Sequence, residues 1–371
     1  MPKFKDIDWN EFNATHREQW ERLVSATAAN PCHHMDWLNA VIGTQGLSGR
    51  VRVFIQMEGG RLTGGIPYYR DTQRSAGVPV RTVQTVGNCI SYHQTILSEG
   101  NCAGLLNAFI EQLSDWDMLH LGNLISGDSS DHAARTATGI SSRISYEGES
   151  SPFLRLTGSF DELLASKPKK FRYKFRRRPK DMDEAGSWEM RWYEGAEADL
   201  DEFIDAMFAI ERNSWKVKSD MAITQRPAEE AYTRAILQVL RERKALVGNV
   251  LYLQDKPIAY SLCYHWGGLM GQMKTSYDEA YNQLSAGSLV IDAALQRAFE
   301  LRAREFDFLG DSMPHKRAWS REERNHVGYY LFGEGIKARA LGAMKHWINE
   351  RRENSAERAD SESDASESNA T

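Results

Sequence analysis

The chain has 371 residues, of which 41% are hydrophobic and 26% are charged, a composition typical of a folded protein with two domains of roughly 150 residues each. Charges interrupt every apolar run before the roughly 18 residues that a membrane-spanning helix needs, and the N-terminus lacks the apolar stretch of a signal peptide. These features exclude an integral membrane protein, and we expect a soluble protein in the cytoplasm.

The cysteines do not indicate a metal or disulfide protein. Cys32, Cys89, Cys102 and Cys263 are scattered and form no C-x-x-C pair. We therefore expect reduced, mostly packed thiols, and nothing else in the sequence requires a metal.

Charge is unevenly distributed along the chain. The net charge is −5, but residues 350–371 hold seven acids against three arginines, a balance of −4 that leaves −1 for residues 1–349. That terminal segment is rich in Ser and acids and has no large apolar residue, so we expect a disordered acidic tail. The near-neutral remainder argues against general nucleic-acid binding.

A basic segment, "KPKKFRYKFRRRPK" at residues 167–180, holds nine cations and no acid. Arg172 and Arg176 share a helical face, and Arg177 is close to it. Phe171 and Phe175 fall on another stripe, which predicts that they dock the helix. Such a face would hold the phosphates of a cofactor, a nucleotide-linked sugar, an anionic lipid or RNA, or it covers a domain junction as a solvated helix.

The first half of the chain reads as a mixed α/β unit. It opens with an amphipathic helix at about residues 10–26, followed by a hairpin, "VRVFIQMEGGRLTGGIPYYR", and a further strand region, "RTVQTVGNCISYHQTIL". Leu105, Phe109 and Leu113 then recur at helical spacing before "DMLHLG", which is typical of a strand.

The second half follows the same plan. Phe203, Met207 and Ile210 share one face of a first helix, and residues 226–243 predict a second. Three strands, "ALVGNVLYLQ", "PIAYSLCYHW" and "LMGQMKTSY", are joined by turns short enough to make neighbours antiparallel. The loop "DEAYNQLSAGS" leads into a helix at about residues 289–302 and then into the strand "EFDFLG".

The shared plan has two interpretations: a duplicated fold, or two strand-helix-strand units that are alike for physical reasons alone. Gly104, a helix and "DMLHLG" mirror Gly287, a helix and "FDFLG". The sequence thus predicts an α/β fold of the α+β type, with mixed, largely antiparallel sheets flanked by helices. We expect domains at residues 1–160 and 161–349, the second beginning with the basic helix.

The segment from Leu269 to Arg302 is the most informative for function. Its loop contains Gln283, Gly287 and Ser288, and the backbone N–H groups at the start of the next helix have no partner within that helix, which suits a phosphate. Glycine would let a pyrophosphate approach the backbone, and Ser288 could cap the helix or bind the ligand. The alternative is an ordinary helix start preceded by a glycine.

Ionisable side chains follow two strands of the second half. Asp311, His315 and Lys316 come after "EFDFLG", while Tyr277 and Asp278 end the neighbouring strand. All five are candidates for the proton transfers of catalysis, and His315 titrates near neutral pH when it is unperturbed. The residues alone do not rank them.

Two further candidates flank this group. Asp307 alternates with Phe306 and Phe308, so it faces the opposite side of the sheet and either takes part in the site or bonds to a neighbouring loop. Arg317, next to Lys316, would pair with an anionic substrate or close a loop.

Five marks in residues 165–320 resemble one acyltransferase family. They are the basic helix "KFRYKFRRRPKDMDEAG", the hairpin "DKPIAY", the strand end "SYDEAY", the loop "LSAGS" before a helix, and "EFDFLGDSMPHKRAW". The family includes the CelD-type polysaccharide-biosynthesis proteins (BioF-like acetyltransferases), lies in the GNAT superfamily and is related to the Fem-type peptidoglycan aminoacyltransferases. "NPCHHMDWLNAV", "GGIPYYR" and "WDMLHLGNL" are similar to its N-terminal GNAT-like domain.

This resemblance implies two tandem GNAT-like domains and an acyl-CoA, such as acetyl-CoA, as co-substrate. An amine or hydroxyl would attack the thioester directly in a ternary complex. The donor would be held by Gln272, Lys274, Gln283, Gly287 and Ser288. The acceptor would be bound by Arg172, Arg176, Arg177, Asp307 and Arg317.

Three functions follow as hypotheses. The leading one is an acyltransferase acting on a small-molecule acceptor, a sugar or a cell-envelope precursor, with peripheral association with an envelope-synthesis complex. The alternative takes its acyl group from aminoacyl-tRNA, as Fem-type enzymes do, with tRNA as a partner. The third is a non-catalytic scaffold in polysaccharide biosynthesis. The oligomeric state is left open.

Overall fold

The computed structural model describes residues 2–27, 30–75, 77–87, 93–349 and 351. The predicted acidic tail lies outside this part of the chain, apart from residue 351, and so does Cys89. None of the helices within these ranges is long and apolar enough to cross a membrane.

The strands are numbered in chain order. They are β1 Lys3–Asp8, β2 Val51–Glu58, β3 Arg61–Ser75, β4 Val78–Thr85, β5 Leu97–Ser98, β6 Met118–Ile125, β7 Ser142–Glu147, β8 Ser151–Arg155, β9 Trp188–Glu194, β10 Leu246–Leu253, β11 Lys256–Trp266, β12 Leu269–Tyr277, β13 Glu305–Asp307, β14 Glu323–Arg324 and β15 His326–Phe332.

The α-helices are numbered in the same way. They are α1 Trp9–Thr27, α2 Met35–Thr44, α3 Cys102–Gln112, α4 Ser129–Thr136, α5 Phe160–Ala165, α6 Lys169–Ala185, α7 Leu200–Glu211, α8 Pro227–Glu242, α9 Ala286–Glu300 and α10 Pro314–Arg317. A further helix covers residues 336–349.

The strands form two mixed sheets, and strands at corresponding positions follow the same pattern along the chain. The first runs β1-β2-β3-β4-β6-β15-β7, with β5 paired to β3, and the second runs β9-β10-β11-β12-β13-β8-β14. Both are largely antiparallel, and each contains one parallel pair, β4 with β6 and β12 with β13. A helix lies between the two strands of each parallel pair along the chain, α3 in the first sheet and α9 in the second. The predicted tandem fold with helix-flanked sheets is confirmed.

Each half of the chain contributes a strand to the other half's sheet. β8 pairs with β13 and β14 in the second sheet, and β15 pairs with β6 and β7 in the first. Sheet membership therefore does not change at one point along the chain, and the domain limits at residues 160 and 349 stay predictions. The exchange anchors the two sheets to each other through main-chain hydrogen bonds.

Side-chain packing also joins the halves. Trp37 of α2 contacts the ring of Tyr264 of β11 edge to face, with centroids 6.5 Å apart, and both rings are buried in one core cluster. Beside them, the guanidinium of Arg243 donates to Asp36 (Nε to Oδ2, 2.9 Å) and to Glu21 (Nη2 to Oε1, 3.1 Å). The helices of the two halves thus share an apolar core closed by a charged cluster.

Two predicted elements of the second half are corrected. The strand predicted for "EFDFLG" stops at Asp307, because Leu309 and Gly310 both adopt left-handed backbone conformations, with φ of 45° and 58°. The helix predicted from residue 289 begins at Ala286, because the left-handed Ser285 starts the turn early. Gly287 and Ser288 consequently lie in the first turn of α9 and not in the loop before it.

The exchanged strand β15 provides a test of the packing. A Cβ atom on Gly328 would lie 2.1 Å from Cζ of Tyr146 on β7, so Gly328→Ala should force the tyrosine ring or the strand aside. We expect a loss of about 1–3 kcal/mol in the free energy of unfolding, measured by urea denaturation. Gly335→Ala, where no atom lies within 4 Å, is the matched control. Equal stability of the two variants would contradict this packing.

Candidate functional site

The parallel strands of the second sheet separate soon after they pair. Leu269 to Gly271 pair with Glu305 to Asp307, and within the described residues no pairing between the two strands follows. In the first sheet β4 pairs with the start of β6, and Gln94, which lies beyond β4 in the chain, forms a separate parallel bridge with Leu124 of β6. The second sheet therefore has an open gap beyond β13, and the first sheet does not.

A β-bulge shapes the wall of this gap on β12. The register against β11 shifts so that Leu262 pairs with Lys274 and Cys263 with Gln272, which leaves Met273 as the extra residue. A bulge bends a strand and changes the direction of its side chains and peptide groups. β12 consequently bends where it leaves β13.

Helix α9 begins at the far end of β12. Its N-cap residue, Ser285, makes no side-chain capping hydrogen bond. A Cβ atom on Gly287 would lie 2.8 Å from Cδ1 of Tyr277, so glycine allows the helix start to contact the last residue of β12. The N–H of Ser288 donates to the carbonyl of Ser285 at 2.9 Å, and Gln283 is exposed on the preceding turn. Such a helix terminus favours an anion.

The basic segment forms helix α6, as predicted, and its aromatic residues dock it. Phe171 and Phe175 both contact the buried Trp319, with ring centroids 4.7 and 6.2 Å away. Arg178 forms an ion pair with Asp292 of α9, whose pKa burial raises to about 6. This pair fixes α6 across α9.

The predicted phosphate-binding arginines differ in what they contact. Arg177 donates to Asp181 (2.5 Å) and to Glu184 (2.9 Å) within its own helix, so its charge is already paired. Arg176 is exposed and Arg172 is half-buried. Neither has an ion pair within the described residues, so Arg176 and Arg172 are better candidates than Arg177 for binding an external anion.

Asp307 is the most completely buried acid of the site, with 0% of its surface exposed. Its side chain faces away from Phe306 and Phe308, as the alternation predicts. It accepts hydrogen bonds from the Leu309 N–H (2.8 Å), from Arg324 and from Nε2 of His93 (3.0 Å). Burial alone would raise the pKa of Asp307, but His93 and Arg324 outweigh burial and lower it.

A hydrogen-bond chain extends from Asp307 through two histidine rings. Nδ1 of His326 lies 2.5 Å from the carbonyl oxygen of Glu149, so that nitrogen must donate. Burial lowers the pKa of His326 to about 4, so its other nitrogen carries no proton and accepts from Nδ1 of His93 at 2.7 Å. Nε2 of His93 in turn lies 3.0 Å from Oδ2 of Asp307, so the chain connects Asp307 to the backbone at Glu149.

Lys316 of α10 lies on the β13 side of the gap. Its side chain is 9% exposed, and its ammonium donates to the carbonyl of Leu309. Burial lowers the pKa of Lys316 to about 8, partly opposed by Asp311, Asp307 and Glu149. A lysine whose pKa lies this close to physiological pH can both accept and donate a proton.

The residues next to Lys316 differ in their exposure and in their effect on nearby pKa values. Burial raises the pKa of Glu149, and the neighbouring Asp311, which is exposed, raises it further. Partial burial and the Lys316 cation lower the pKa of His315 to about 4, so His315 is neutral at pH 7. Arg317 is exposed at the end of α10. The structure thus brings Asp311, His315 and Lys316 together at the gap.

A buried ionic cluster lies behind the opposite wall. Nζ of Lys216 donates to Oε1 of Glu211 and to the carbonyl of Thr275 on β12, both at 2.9 Å, and Tyr260 donates to the same carboxylate oxygen at 2.7 Å. Lys216 is close enough to lower the pKa of Lys316. Cations therefore lie on both sides of the gap.

Several of these side chains could not be predicted as site residues from the sequence. His93, His326, Arg324 and Glu149 lie far from Asp307 in the chain and have no local motif. Glu211 had a usable signal, because it occupies the position that continues the apolar stripe of Phe203 and Met207 in α7.

Two more predicted residues, Asp278 and Lys274, form ion pairs with neighbouring side chains. Asp278 forms an ion pair with Lys256 (2.9 Å) and caps the turn that follows it through the Ala280 N–H (3.0 Å). Lys274 pairs with Glu229 of α8. Asp278 and Lys274 thus stabilise the local structure through these contacts.

Two more predicted residues lie within β12: Gln272, a candidate for binding the acyl donor, and Tyr277, a candidate for proton transfer. The amide of Gln272 donates to Ser261 at 3.0 Å, and its buried carbonyl oxygen has no hydrogen-bond partner. The hydroxyl of Tyr277 donates to Asn282 at 3.3 Å. Among the described residues, no group of three or more His, Cys, Asp or Glu side chains is arranged to hold a metal ion.

The titration of Lys316 can be measured directly. In NMR spectra of lysine labelled at Cε and Nζ, Lys316 should titrate near pH 8, and Asp311→Asn should lower that midpoint further, since the carboxylate favours the ammonium. The exposed Lys180 is the internal control. Because folding lowers this pKa, the unfolded chain binds more protons above pH 8, so the stability contribution of Lys316 rises with pH there. A midpoint near the ordinary lysine value of about 10.4 would contradict the buried position.

The comparisons with known proteins fit this geometry. Residues 169–317 match the family model described as "Acetyltransferase (GNAT) domain". A search of curated proteins found no match.

Solved structures show the fold of nearly the whole chain. FemX is similar with a TM-score of 0.56 and 11% identity, covering 89% of this chain and 96% of that chain. A conserved protein of unknown function from Bacteroides thetaiotaomicron VPI-5482 has a TM-score of 0.54 and 13% identity, covering 90% and 100%. The C-terminal domain of a putative lysylphosphatidylglycerol synthetase from Agrobacterium fabrum has a TM-score of 0.54 and 11% identity, covering 89% and 95%. At these identities the likeness shows the fold alone.

The matched segment contains α6, β12, α9, β13 and α10, and hence the gap and Lys316. The match of residues 169–317 to the acetyltransferase (GNAT) domain model supports a transferase role for this protein.

Proposed function

We propose that this protein transfers an acyl group from acyl-CoA, such as acetyl-CoA, to an amine or hydroxyl of a sugar or other cell-envelope precursor. One observation carries the proposal: the gap between β12 and β13 opens beside the uncapped start of α9, with Lys316 at its edge. The GNAT fold generally uses acyl-CoA. The resemblance to CelD-type proteins supports a setting in polysaccharide biosynthesis, in the cytoplasm and in association with an envelope-synthesis complex.

The donor has a binding surface of matching chemistry. Its pyrophosphate would lie at the first turn of α9, where Gly287 allows close approach and the helix terminus favours negative charge. Its amide-containing arm would run along β12 into the gap. The exposed cations of α6, which lies across α9, would bind the remaining phosphate.

Lys316 provides the proton chemistry of the proposed transfer. The neutral amine takes the proton of the attacking amine or hydroxyl as the bond to the thioester carbonyl carbon forms. The carbon–sulfur bond then breaks, and the ammonium of Lys316 returns the proton to the departing thiolate. Asp311 and Glu149 stabilise the cation between these steps. No metal is needed in this sequence.

A second candidate takes the acyl group from aminoacyl-tRNA. The exposed basic face of α6 favours it, since RNA phosphates would bind there. Changing Arg172 and Arg176 to Gln should then abolish tRNA binding, measured by gel shift at several salt concentrations. Unchanged tRNA binding in this variant, or none by the unaltered protein, would count against tRNA as the donor.

The donor site can be tested at Gly287. In Gly287→Val the new side chain would overlap Tyr277, so the helix start moves and the affinity for acetyl-CoA should fall at least tenfold, measured by isothermal titration calorimetry. Gly100→Val, in open space, should bind like the unaltered protein. The proposal fails if the unaltered protein binds neither acetyl-CoA nor longer acyl-CoAs.

The base can be tested at Lys316. Lys316→Met should lower kcat by about 10²–10⁴-fold while leaving the affinity for acyl-CoA within a few-fold, because only the proton transfer is lost. For the unaltered protein kcat/KM should rise with pH to a plateau above about 8, as the amine loses its proton. Lys5→Met, at the far edge of the first sheet, is the control. Full activity of Lys316→Met would assign the base elsewhere.

A further inference from the structure

Besides the gap between β12 and β13, a cavity of about 700 Å³ lies between the two halves of the chain. His33 and Thr95 line it from the first half, and Leu269, Arg304 and Arg324 line it from the second. It borders the start of β12 and β13, whereas the gap opens beyond the end of their pairing. The cavity is therefore a different site from the one proposed for the donor.

One buried nitrogen in the cavity wall lacks a partner. His33 is 5% exposed, and its Nε2 makes no hydrogen bond. Burial lowers the pKa of His33 to about 4, so the ring is neutral at pH 7. An unpaired buried polar atom costs free energy, and a ligand hydroxyl or amine in the cavity would remove that cost.

Two exposed arginines lie at the same cavity. The guanidinium of Arg304 donates to the carbonyl of Gly267 at 2.6 Å, and in the described part of the chain no carboxylate lies within ion-pair distance of it. Arg155 makes a loose pair with Glu322, with Nη1 and Oε2 3.5 Å apart. Arg324, in contrast, is paired with Glu305 and Asp307. Arg304 and Arg155 are thus the cations available to an anionic ligand.

The turn between β11 and β12 is shaped to place Arg304. Gly268 has a φ of +81°, and a Cβ atom there would lie 2.6 Å from Nε of Arg304. A glycine at this position lets the guanidinium lie against the turn, where Arg304 lines the cavity. A planar guanidinium of this kind binds phosphate or carboxylate in a bidentate manner.

Two carboxylates, those of Asp128 and Glu305, also line the cavity, and the uncharged part of the lining suits a hydroxylated molecule. Short uncharged polar side chains contribute hydroxyl and amide groups: Thr27, Asn30, Gln94, Thr95 and Thr157. Leu156 and Leu269 supply apolar surface on which the C–H face of a sugar ring can pack. The volume lies within the range of roughly 300–1,000 Å³ that small-ligand pockets occupy.

We propose that this cavity binds a sugar or similar polyol that carries one phosphate or carboxylate, with the anion on Arg304 and a hydroxyl or amine on His33. Its role as acceptor of the acyl group rests on the proposed function, whereas binding itself does not. The cavity is connected to the gap through His93, which lines the cavity and donates to Asp307 where the gap begins.

Calorimetric titration of the full chain without acyl donor tests the site. The probes are glucose 6-phosphate, glucosamine 6-phosphate, glucuronate and uncharged glucose. At least one anionic sugar should bind saturably with one molecule per chain, and glucose should bind at least tenfold more weakly. The phosphates and glucuronate distinguish a phosphate ligand from a carboxylate ligand.

Variants assign the binding to this cavity. Arg304→Ala and His33→Phe should each weaken binding of the anionic sugar at least tenfold, and Arg304→Ala should leave acetyl-CoA binding unchanged. Arg70→Ala is the matched control, because Arg70 is also exposed and donates to one backbone carbonyl, that of Ser114 at 2.7 Å. Arg304 is exposed, so its variant should fold, which circular dichroism can verify.

The outcomes separate this inference from the proposed function. Failure of all three anionic sugars to bind, or binding that Arg304→Ala leaves intact, overturns the cavity proposal. Sugar binding that depends on Arg304 supports the cavity even if acetyl-CoA does not bind, in which case the proposed function fails alone. Given an active enzyme, the acceptor role requires Arg304→Ala to raise KM for the acceptor at least tenfold and leave KM for acyl-CoA unchanged.

Discussion

The fully buried carboxylate of Asp307 is the interaction on which the arrangement of this molecule depends. An ionised group in a protein interior costs several kcal/mol unless its partners are complete. Here the partners come from separate parts of the chain: His93 from the first half, Arg324 from β14, and the adjacent Leu309 N–H. Because all three must be in place together, the carboxylate fixes the two halves at the point where the gap begins.

The strand exchange makes that arrangement possible. β14, which holds Arg324, pairs with β8 from the first half, and β15 brings His326 into the first sheet beside His93. The same exchange gives the two sheets corresponding strand orders, yet only in the second sheet do the parallel strands separate to form a gap. The bulge in β12 and the left-handed residues Leu309 and Gly310 account for the difference, because they end the pairing of β12 with β13. In the first sheet a further parallel bridge forms between Gln94 and Leu124.

Local charge matters more than net charge in this protein. The body of the chain is close to neutral, but the gap has Lys316 on one side and Lys216 behind the other. Burial brings the pKa of Lys316 close to the physiological range, and the carboxylates of Asp311 and Glu149 keep it from falling further. An anionic donor, a thioester carbonyl and a departing thiolate all gain from such surroundings. The basic helix α6 adds cations outside the gap, while its arginine Arg178 is used for packing against α9.

Most elements and the position of the strand–helix unit that carries the site could be predicted from the sequence, because hydrophobic periodicity, turn residues and short motifs are local properties. The tandem fold was implied by the resemblance to a known family. The strands from β10 to β12 lie within one residue of their predicted bounds, and Asp311, His315 and Lys316 are grouped because they are neighbours in the chain. Three features could be seen only in three dimensions: the sheets that β8 and β15 join, the hydrogen bonds of His93 and Arg324 to Asp307, and the burial of Lys316. Those outcomes depend on contacts between residues far apart in the chain, and on desolvation, which no local pattern encodes.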